Sequence, residues 1–265
     1  MKDIIFLLTG VIDLFGSHGG LLEHRAALLA SHGFAVLALA YFGYKDLPSN
    51  HKELDLEYFI EAANWFSSHD RVKRNGIGIV GVSLGAQLAL QVAAESSLFK
   101  AVVVLSPLHS IATPVRYRGE MIGFTRKLTM DDVTMVDDVM IGRGIYENDD
   151  EMKEFEIEVE KIKGTIMTIS GDDDQCINAT RLAQKIQARL KRHNRPESTL
   201  INFPGAGHLI EPPFMPMCSL SFLRDVGQLY AWGGNILEHS LAQEQAWQAL
   251  IDFLRKNLQN FEGKL

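Results

Sequence analysis

The chain is poor in several features that would otherwise steer its reading. Two cysteines, Cys176 and Cys218, among 265 residues are too few for a disulfide framework and point to a reducing compartment. No apolar run approaches the roughly 18 residues of a membrane-spanning helix. Ile4-Ile5-Phe6-Leu7-Leu8 follows one lysine as a signal segment would, but it soon reaches Asp13 without a small-residue cleavage site and reads as a strand. Positive charge is in deficit, with 26 Lys and Arg against 33 Asp and Glu, a net charge of -7 and a pI near 5.7. That balance argues against a nucleic-acid partner and means that an anionic substrate needs a local basic patch. H-E-x-x-H, paired C-x-x-C, Walker and Rossmann glycine patterns are missing, so neither a metal nor a cofactor is expected.

What is present is ordinary for a globular protein, 46% hydrophobic and 22% charged. The length suits a single α/β domain over residues 1–265. Buried-type strands are expected at Ile4 to Ile12, Phe34 to Ala40, Ile77 to Val80, Lys100 to Leu105, Thr165 to Ser170 and Ser198 to Phe203. Helices are expected at Leu21 to Ser31, Glu53 to Ser68, Ala86 to Ala94, Ile177 to Lys191 and Leu241 to Leu258. In the first, Leu22, Ala26, Leu29 and Ala30 form the apolar face; in the second, Leu54, Tyr58, Ala62 and Trp65 form the stripe. Strand and helix alternating in this way imply a doubly wound, mostly parallel sheet. The alternation lapses from Ser106 to about Lys163, where mixed charges, methionines and two short helix-like pieces suggest a cap-like insertion (106–163). A long loop is expected from Pro204 to about Gly234.

Gly81-Val82-Ser83-Leu84-Gly85 stands between the apolar run ending at Val80 and the helix beginning near Ala86. Strand, sharp turn and helix are the setting of a G-x-S-x-G nucleophile elbow. Side chains at 81 and 85 would collide with the neighbouring strand and helix, and the turn leaves the Leu84 N–H free to donate to an oxyanion. A serine nucleophile needs a base and an acid that orients it, in the chain order Ser, Asp or Glu, His. His208, in Pro204-Gly205-Ala206-Gly207-His208 after a strand, is the candidate base. His109 breaks the order, His193 reads as a solvated loop residue, and His239 reads as a surface residue near the start of the last helix. Among Asp172, Asp173 and Asp174 the fourth position of Gly171-x-x-Asp favours Asp174 over Asp173, with Asp172 facing solvent; turn and N-cap chemistry is the other use for all three. Asp13 is a rival carboxylate that precedes the serine. The second oxyanion donor is expected from the backbone of Leu14 to Ser17, at Phe15 or Gly16.

Gly10-Val11-Ile12-Asp13-Leu14-Phe15-Gly16, Leu21-Leu22-Glu23-His24-Arg25-Ala26, the elbow, Pro204 to Pro213 and Trp232-Gly233-Gly234 together resemble the C-terminal catalytic domain of the acyl-CoA thioesterase and bile acid-CoA:amino acid N-acyltransferase family, in order from about Gly10 to Leu258. The resemblance implies an α/β-hydrolase fold and hydrolysis of acyl-CoA, long-chain substrates included, through Ser83, Asp174 and His208. The amino-acid-conjugating branch carries Cys at the nucleophile position, so Ser83 favours water as acceptor. Family members usually carry an N-terminal β-sandwich and further strands, whereas this chain begins almost at its Gly-Val-Ile-Asp strand; a sheet lacking the usual first strands, with one edge uncovered, is the expectation.

Arg116, Arg118, Arg126 and Lys127 are the candidate cations for the CoA phosphates, and Met215 and Met217 candidate walls of an acyl tunnel. A carboxylester hydrolase of dienelactone-hydrolase type and a catalytically silent, truncated paralogue are the alternative readings. A cytoplasmic location is expected, with peroxisome or mitochondrion as alternatives; Gly263-Lys264-Leu265 loosely resembles a peroxisomal address.

Overall fold

The computed structural model describes residues 7–124, 129–223 and 227–259. Six strands, β1 (Thr9–Leu14), β2 (Phe34–Ala38), β3 (Ile77–Val82), β4 (Phe99–Leu105), and two later ones, form an all-parallel sheet. Between them run α1 (His24–Ser31), α2 (Leu56–Ser67) and α3 (Leu84–Glu95). After β4 come the short strands β5 (Val115–Tyr117), β6 (Glu120–Ile122), β7 (Thr134–Val136) and β8 (Val139–Ile141), and a one-turn helix α4 (Asp149–Met152). The alternation resumes with β9 (Thr165–Gly171), α5 (Ala179–Arg192) and β10 (Thr199–Phe203), followed by β11 (Leu220–Leu223), β12 (Gln228–Ala231) and α6 (Ile236–Gln259).

The main sheet has the order β10-β9-β4-β3-β1-β2. Its strands are near-continuous apolar runs because both faces are covered. Ile12, Ile79, Val102 and Val104 face α2, α3 and α5, whereas Val11, Val80, Val103 and Ile169 face α1 and α6. The chain winds outward from β1 to β2, then restarts at β3 on the other side of β1 and winds outward to β10. Such a reversal opens a crevice at the carboxyl ends of the two central strands. Residues 15–17 after β1 and Ser83 after β3 both follow the carboxyl ends of those strands.

Several local expectations need correction. The buried stripe of α2 is Leu56, Phe59, Ala63 and Phe66, while Trp65 is exposed; aromatic neighbours at 58/59 and 65/66 left the helix phase ambiguous by one residue. On α1 the buried residues are Arg25, Ala26 and Leu29, because Arg25 is paired with Asp13 rather than facing water. The 106–163 stretch contains, beside short helical turns such as α4, two antiparallel strand pairs, β5 with β6 and β7 with β8. The long loop after β10 contains β11 and β12, which join β8 and β7 in a second sheet of order β11-β12-β8-β7. Strands of three or four residues are too short to show a period, and β8 and β12 pair across 90 positions (Val139 with Leu229).

Candidate active site

Ser83 occupies φ 54°, ψ -120°, a backbone region that costs a non-glycine residue of order 1–3 kcal/mol and persists only where the surroundings impose it. The surroundings are tight. A side chain on Gly81 would overlap the Gly85 carbonyl, and one on Gly85 would overlap the Phe15 and Leu14 carbonyls. The Ser83 N–H donates to Leu105 O (3.0 Å), anchoring the elbow to the end of β4. As the N-cap of α3 its side chain makes no capping bond, which leaves Oγ for another partner.

That partner is His208, whose Nε2 lies 2.9 Å from Ser83 Oγ. His208 Nδ1 lies 2.7 Å from Asp174 Oδ2, with both residues fully buried. Asp174 divides its oxygens, because Oδ1 accepts the N–H groups of Cys176 (2.8 Å) and Ile177 (3.0 Å) ahead of α5. The turn-capping use and the histidine contact therefore coexist on one carboxylate. Asp173 points elsewhere, accepting from Gly234 N–H (2.8 Å) and Gln175 Nε2 (2.7 Å), and the exposed Asp172 accepts from Gly205 N–H (2.6 Å).

The loop carrying His208 is held at each residue. His208 N–H donates to Trp232 O (2.8 Å), and the Trp232 indole stacks on the imidazole at 5.5 Å between centroids. The Ser106 hydroxyl donates to His208 O (2.6 Å). His239 is buried, not on the surface: its Nδ1 accepts from Gly207 N–H (3.0 Å) and its Nε2 lies 2.9 Å from Leu209 O. The helix bearing it starts at Ile236, five residues earlier than expected. On that longer helix His239 shares a stripe with Ala242, Ala246 and Leu250, and this period was the available signal. Nothing local marks Ser106 or Trp232 for their partners.

Burial disfavours charge on His208, but the Asp174 carboxylate outweighs it, assisted by Cys176, so the imidazole pKa sits well above its ordinary 6.5. Burial lowers the pKa of His239 instead. Asp13 is buried with Arg25 Nε at 2.6 Å and makes no contact with His208. His109 is buried, and His193 sits on the half-exposed end of α5, 3.7 Å from Glu160.

Ser83 opens into a cavity of about 680 Å³. Leu108, Met140, Ile145, Ile177 and Leu223 give it a mainly apolar wall, and Tyr230 and Trp232 from β12 and its end close one side. Among the described residues His51 is the one basic side chain in the lining. Met130 and Met140 are its methionines; Met215 and Met217 are not part of it. Arg116 and Arg118 lie on the β5–β6 hairpin outside this lining, with Arg118 stacked on Tyr117 and 4.0 Å from Glu95. Arg126 and Lys127 lie outside the described residues. No group of three or more His, Cys, Asp or Glu among the described residues is placed to hold a metal ion, and no helix among them is long and apolar enough to cross a membrane.

A serine on a strained turn, bonded to an imidazole that is bonded to a carboxylate, can perform acyl transfer. The fold is similar to that of a putative dienelactone hydrolase from Klebsiella pneumoniae (TM-score 0.60, 15% identity, 96% of this chain and 90% of that one). It is similar as well to an α/β hydrolase from Penicillium sp. sh18 (TM-score 0.57, 15% identity, 96% and 91%). The fold is that of the α/β hydrolases. In sequence the chain is 40% identical to acyl-coenzyme A amino acid N-acyltransferase 2 of Mus musculus over 260 residues, 97% of this chain and 62% of that protein. It is 39% identical to acyl-coenzyme A thioesterase 1 of Homo sapiens over 263 residues, again 97% and 62%. The human bile acid-CoA:amino acid N-acyltransferase is 39% identical over 263 residues, 95% and 60%. The chain thus spans about three-fifths of the length of these relatives. Residues 54–260 match the family model described as BAAT / Acyl-CoA thioester hydrolase C terminal, and the chain belongs to that family.

Proposed function

We propose that this chain hydrolyses acyl-CoA thioesters, long-chain ones included, to free fatty acid and CoA, with Ser83 as nucleophile, His208 as base and Asp174 as the residue that orients the base. The observation that carries the reading is the hydrogen-bonded line from Asp174 through His208 to Ser83 Oγ, opening into an apolar cavity. His208 takes the Ser83 proton as Oγ attacks the thioester carbonyl. The oxyanion is met by the Leu84 N–H, to which no described residue is bonded, and by an amide of the loop after β1, at Phe15 or Gly16. Loss of one such donor typically costs on the order of 3 kcal/mol in the barrier. As the tetrahedral adduct collapses, the C–S bond breaks and the CoA sulfur leaves with the proton from His208. Water, deprotonated by the same imidazole, then splits the acyl-serine ester. The second sheet acts as a cap that keeps bulk water from the acyl chain, and the site of action is the cytoplasm, with peroxisome or mitochondrion as alternatives.

The relatives include both thioesterases and N-acyltransferases. Serine rather than cysteine at position 83 favours water as acceptor, and the products formed from an acyl-CoA with and without added glycine separate the two.

The test is incubation of the purified chain with palmitoyl-CoA and a thiol-trapping dye beside Ser83→Ala. Release of CoA that disappears in the variant is expected. Release of a p-nitrophenol from a simple ester, with no CoA release, would move the assignment to a carboxylester hydrolase. A folded chain inert to both substrates and to a fluorophosphonate probe would make it a silent paralogue.

A further inference from the structure

Two of the sequence motifs, Gly10 to Gly16 and Leu21 to Ala26, have no part in the Ser83, His208 and Asp174 line, yet they meet behind it. Arg25 on α1 is fully buried. Its guanidinium spans two acceptors, Nε donating to Asp13 Oδ1 (2.6 Å) and Nη2 to the Leu14 carbonyl (2.8 Å). The next two carbonyls converge on one hydroxyl, that of Tyr41, which lies 2.5 Å from Phe15 O and 2.7 Å from Gly16 O. Tyr41 is itself wedged between Phe42 and Phe59, and burial raises its pKa, so the hydroxyl remains a donor across the working pH range.

Three consecutive carbonyls are therefore each engaged by a buried donor, and those of Leu14 and Phe15 also pack against Gly85 of the elbow. A trans peptide is planar, with its N–H opposite its C=O, so holding the carbonyls of residues 14, 15 and 16 aims the N–H groups of Phe15, Gly16 and Ser17 the other way. The loop lies against Ser83: a β-carbon on Gly16 would sit 3.3 Å from Ser83 Cβ, and Ser17 lines the same cavity as Ser83. We propose that Arg25 and Tyr41 are positioning residues for the reaction, clamping the carbonyls of Leu14, Phe15 and Gly16 so that this loop presents preorganised amides to the oxyanion formed at Ser83. The clamp is linked to the base as well, because His24, next to Arg25, lies 2.8 Å from Glu211, three residues beyond His208.

The proposal rests on the serine acyl-transfer reading, and two conservative variants test it. Tyr41→Phe removes one oxygen and keeps the ring packing. Arg25→Lys keeps a charge against Asp13 but lacks the planar fork needed to reach Leu14 O as well. Rates are expressed per site titrated with a fluorophosphonate, so that misfolded molecules do not count. Since removal of an oxyanion donor costs about 10²–10³ in kcat, misaiming one should lower kcat about tenfold or more in either variant, with KM within about twofold. A palmityl trifluoromethyl ketone conjugate of CoA, which forms an oxyanion on Ser83, should lose affinity by the same factor; a thioether analogue, which forms none, should bind unchanged. Unaltered kcat per titrated site, or equal weakening of ketone and thioether, would overturn the clamp and leave both residues with a packing role. If the wild-type chain releases no CoA, the thioesterase reading fails separately, and the ketone-to-thioether ratio, read as protection of Ser83 from the probe, still decides the clamp.

Discussion

Asp173 and Asp174 are chain neighbours whose carboxylates serve different partners, Asp174 the buried His208 and Asp173 the Gly234 N–H. The division makes a sharp pair of substitutions. Asp174→Asn keeps an oxygen for the Cys176 and Ile177 amides but sets an amide group where His208 needs an acceptor, favouring the wrong tautomer. A fall in kcat on the order of 10³–10⁴ is expected, by analogy with the loss of the orienting carboxylate in serine proteases. Asp173→Asn removes charge from a bond to a glycine amide and should cost about 1 kcal/mol of stability, with kcat within a few-fold. Steady-state kinetics with palmitoyl-CoA and a melting curve for each variant decide the matter. Equal losses of kcat would return the assignment to both carboxylates.

The second prediction concerns pH. Because Asp174 holds the His208 pKa well above 6.5 against the effect of burial, and only neutral imidazole can accept the serine proton, kcat/KM should rise with pH along a limb centred above 6.5. In Asp174→Asn the limb should move down. The stability effect has the opposite sense: a raised folded pKa contributes stability that is complete below the unfolded value and is lost as pH rises through the folded one. A profile with its limb at or below 6.5 would contradict the Asp174 effect.

A third measurement addresses His239. Its imidazole must be neutral to accept from Gly207 N–H, and burial lowers its pKa. Between about 6.5 and the lower folded value the unfolded chain binds more protons, so stability should fall as pH falls through that window. The Glu211 pKa, also lowered despite its burial, through the bond to His24 and the nearby Arg25, contributes only in the carboxylate range below 4.5. The melting-temperature advantage of the wild type over His239→Gln should shrink as pH falls from 7 to 5, the His208 contribution being common to both. Parallel curves would remove His239 from this role.

A fourth prediction tests the cavity. Met140 is buried on β8 and lines the space above Ser83. Met140→Trp should fill part of the 680 Å³ and shift kcat/KM from palmitoyl-CoA toward shorter acyl chains. A change of one methylene in such a pocket is worth about 1–3 kcal/mol, so the shift should exceed tenfold between long and short substrates. An unchanged chain-length profile would place the acyl group elsewhere.

Read from the chain alone, the α/β alternation, the parallel sheet and the elbow were legible because each is a local pattern. Apolar runs mark strands covered on both faces, and Gly81 and Gly85 are demanded by the approach of backbone at the turn. His208 is singled out by its glycine-rich loop directly after a strand, chain order setting aside only His109. Tertiary structure alone decided what depends on distant segments meeting. It split the carboxylates of Asp173 and Asp174, buried His239 under the His208 loop, and brought Trp232 and Ser106 to the same imidazole. It made a second sheet from two stretches that carry no period of their own, placed Arg116 and Arg118 away from the cavity, and buried Arg25 against Asp13 and the Leu14 carbonyl. The physical reason is that periodicity reports which face of an element is covered, whereas a hydrogen bond between residues 125 positions apart, as between Ser83 and His208, is set by how the covered faces stack.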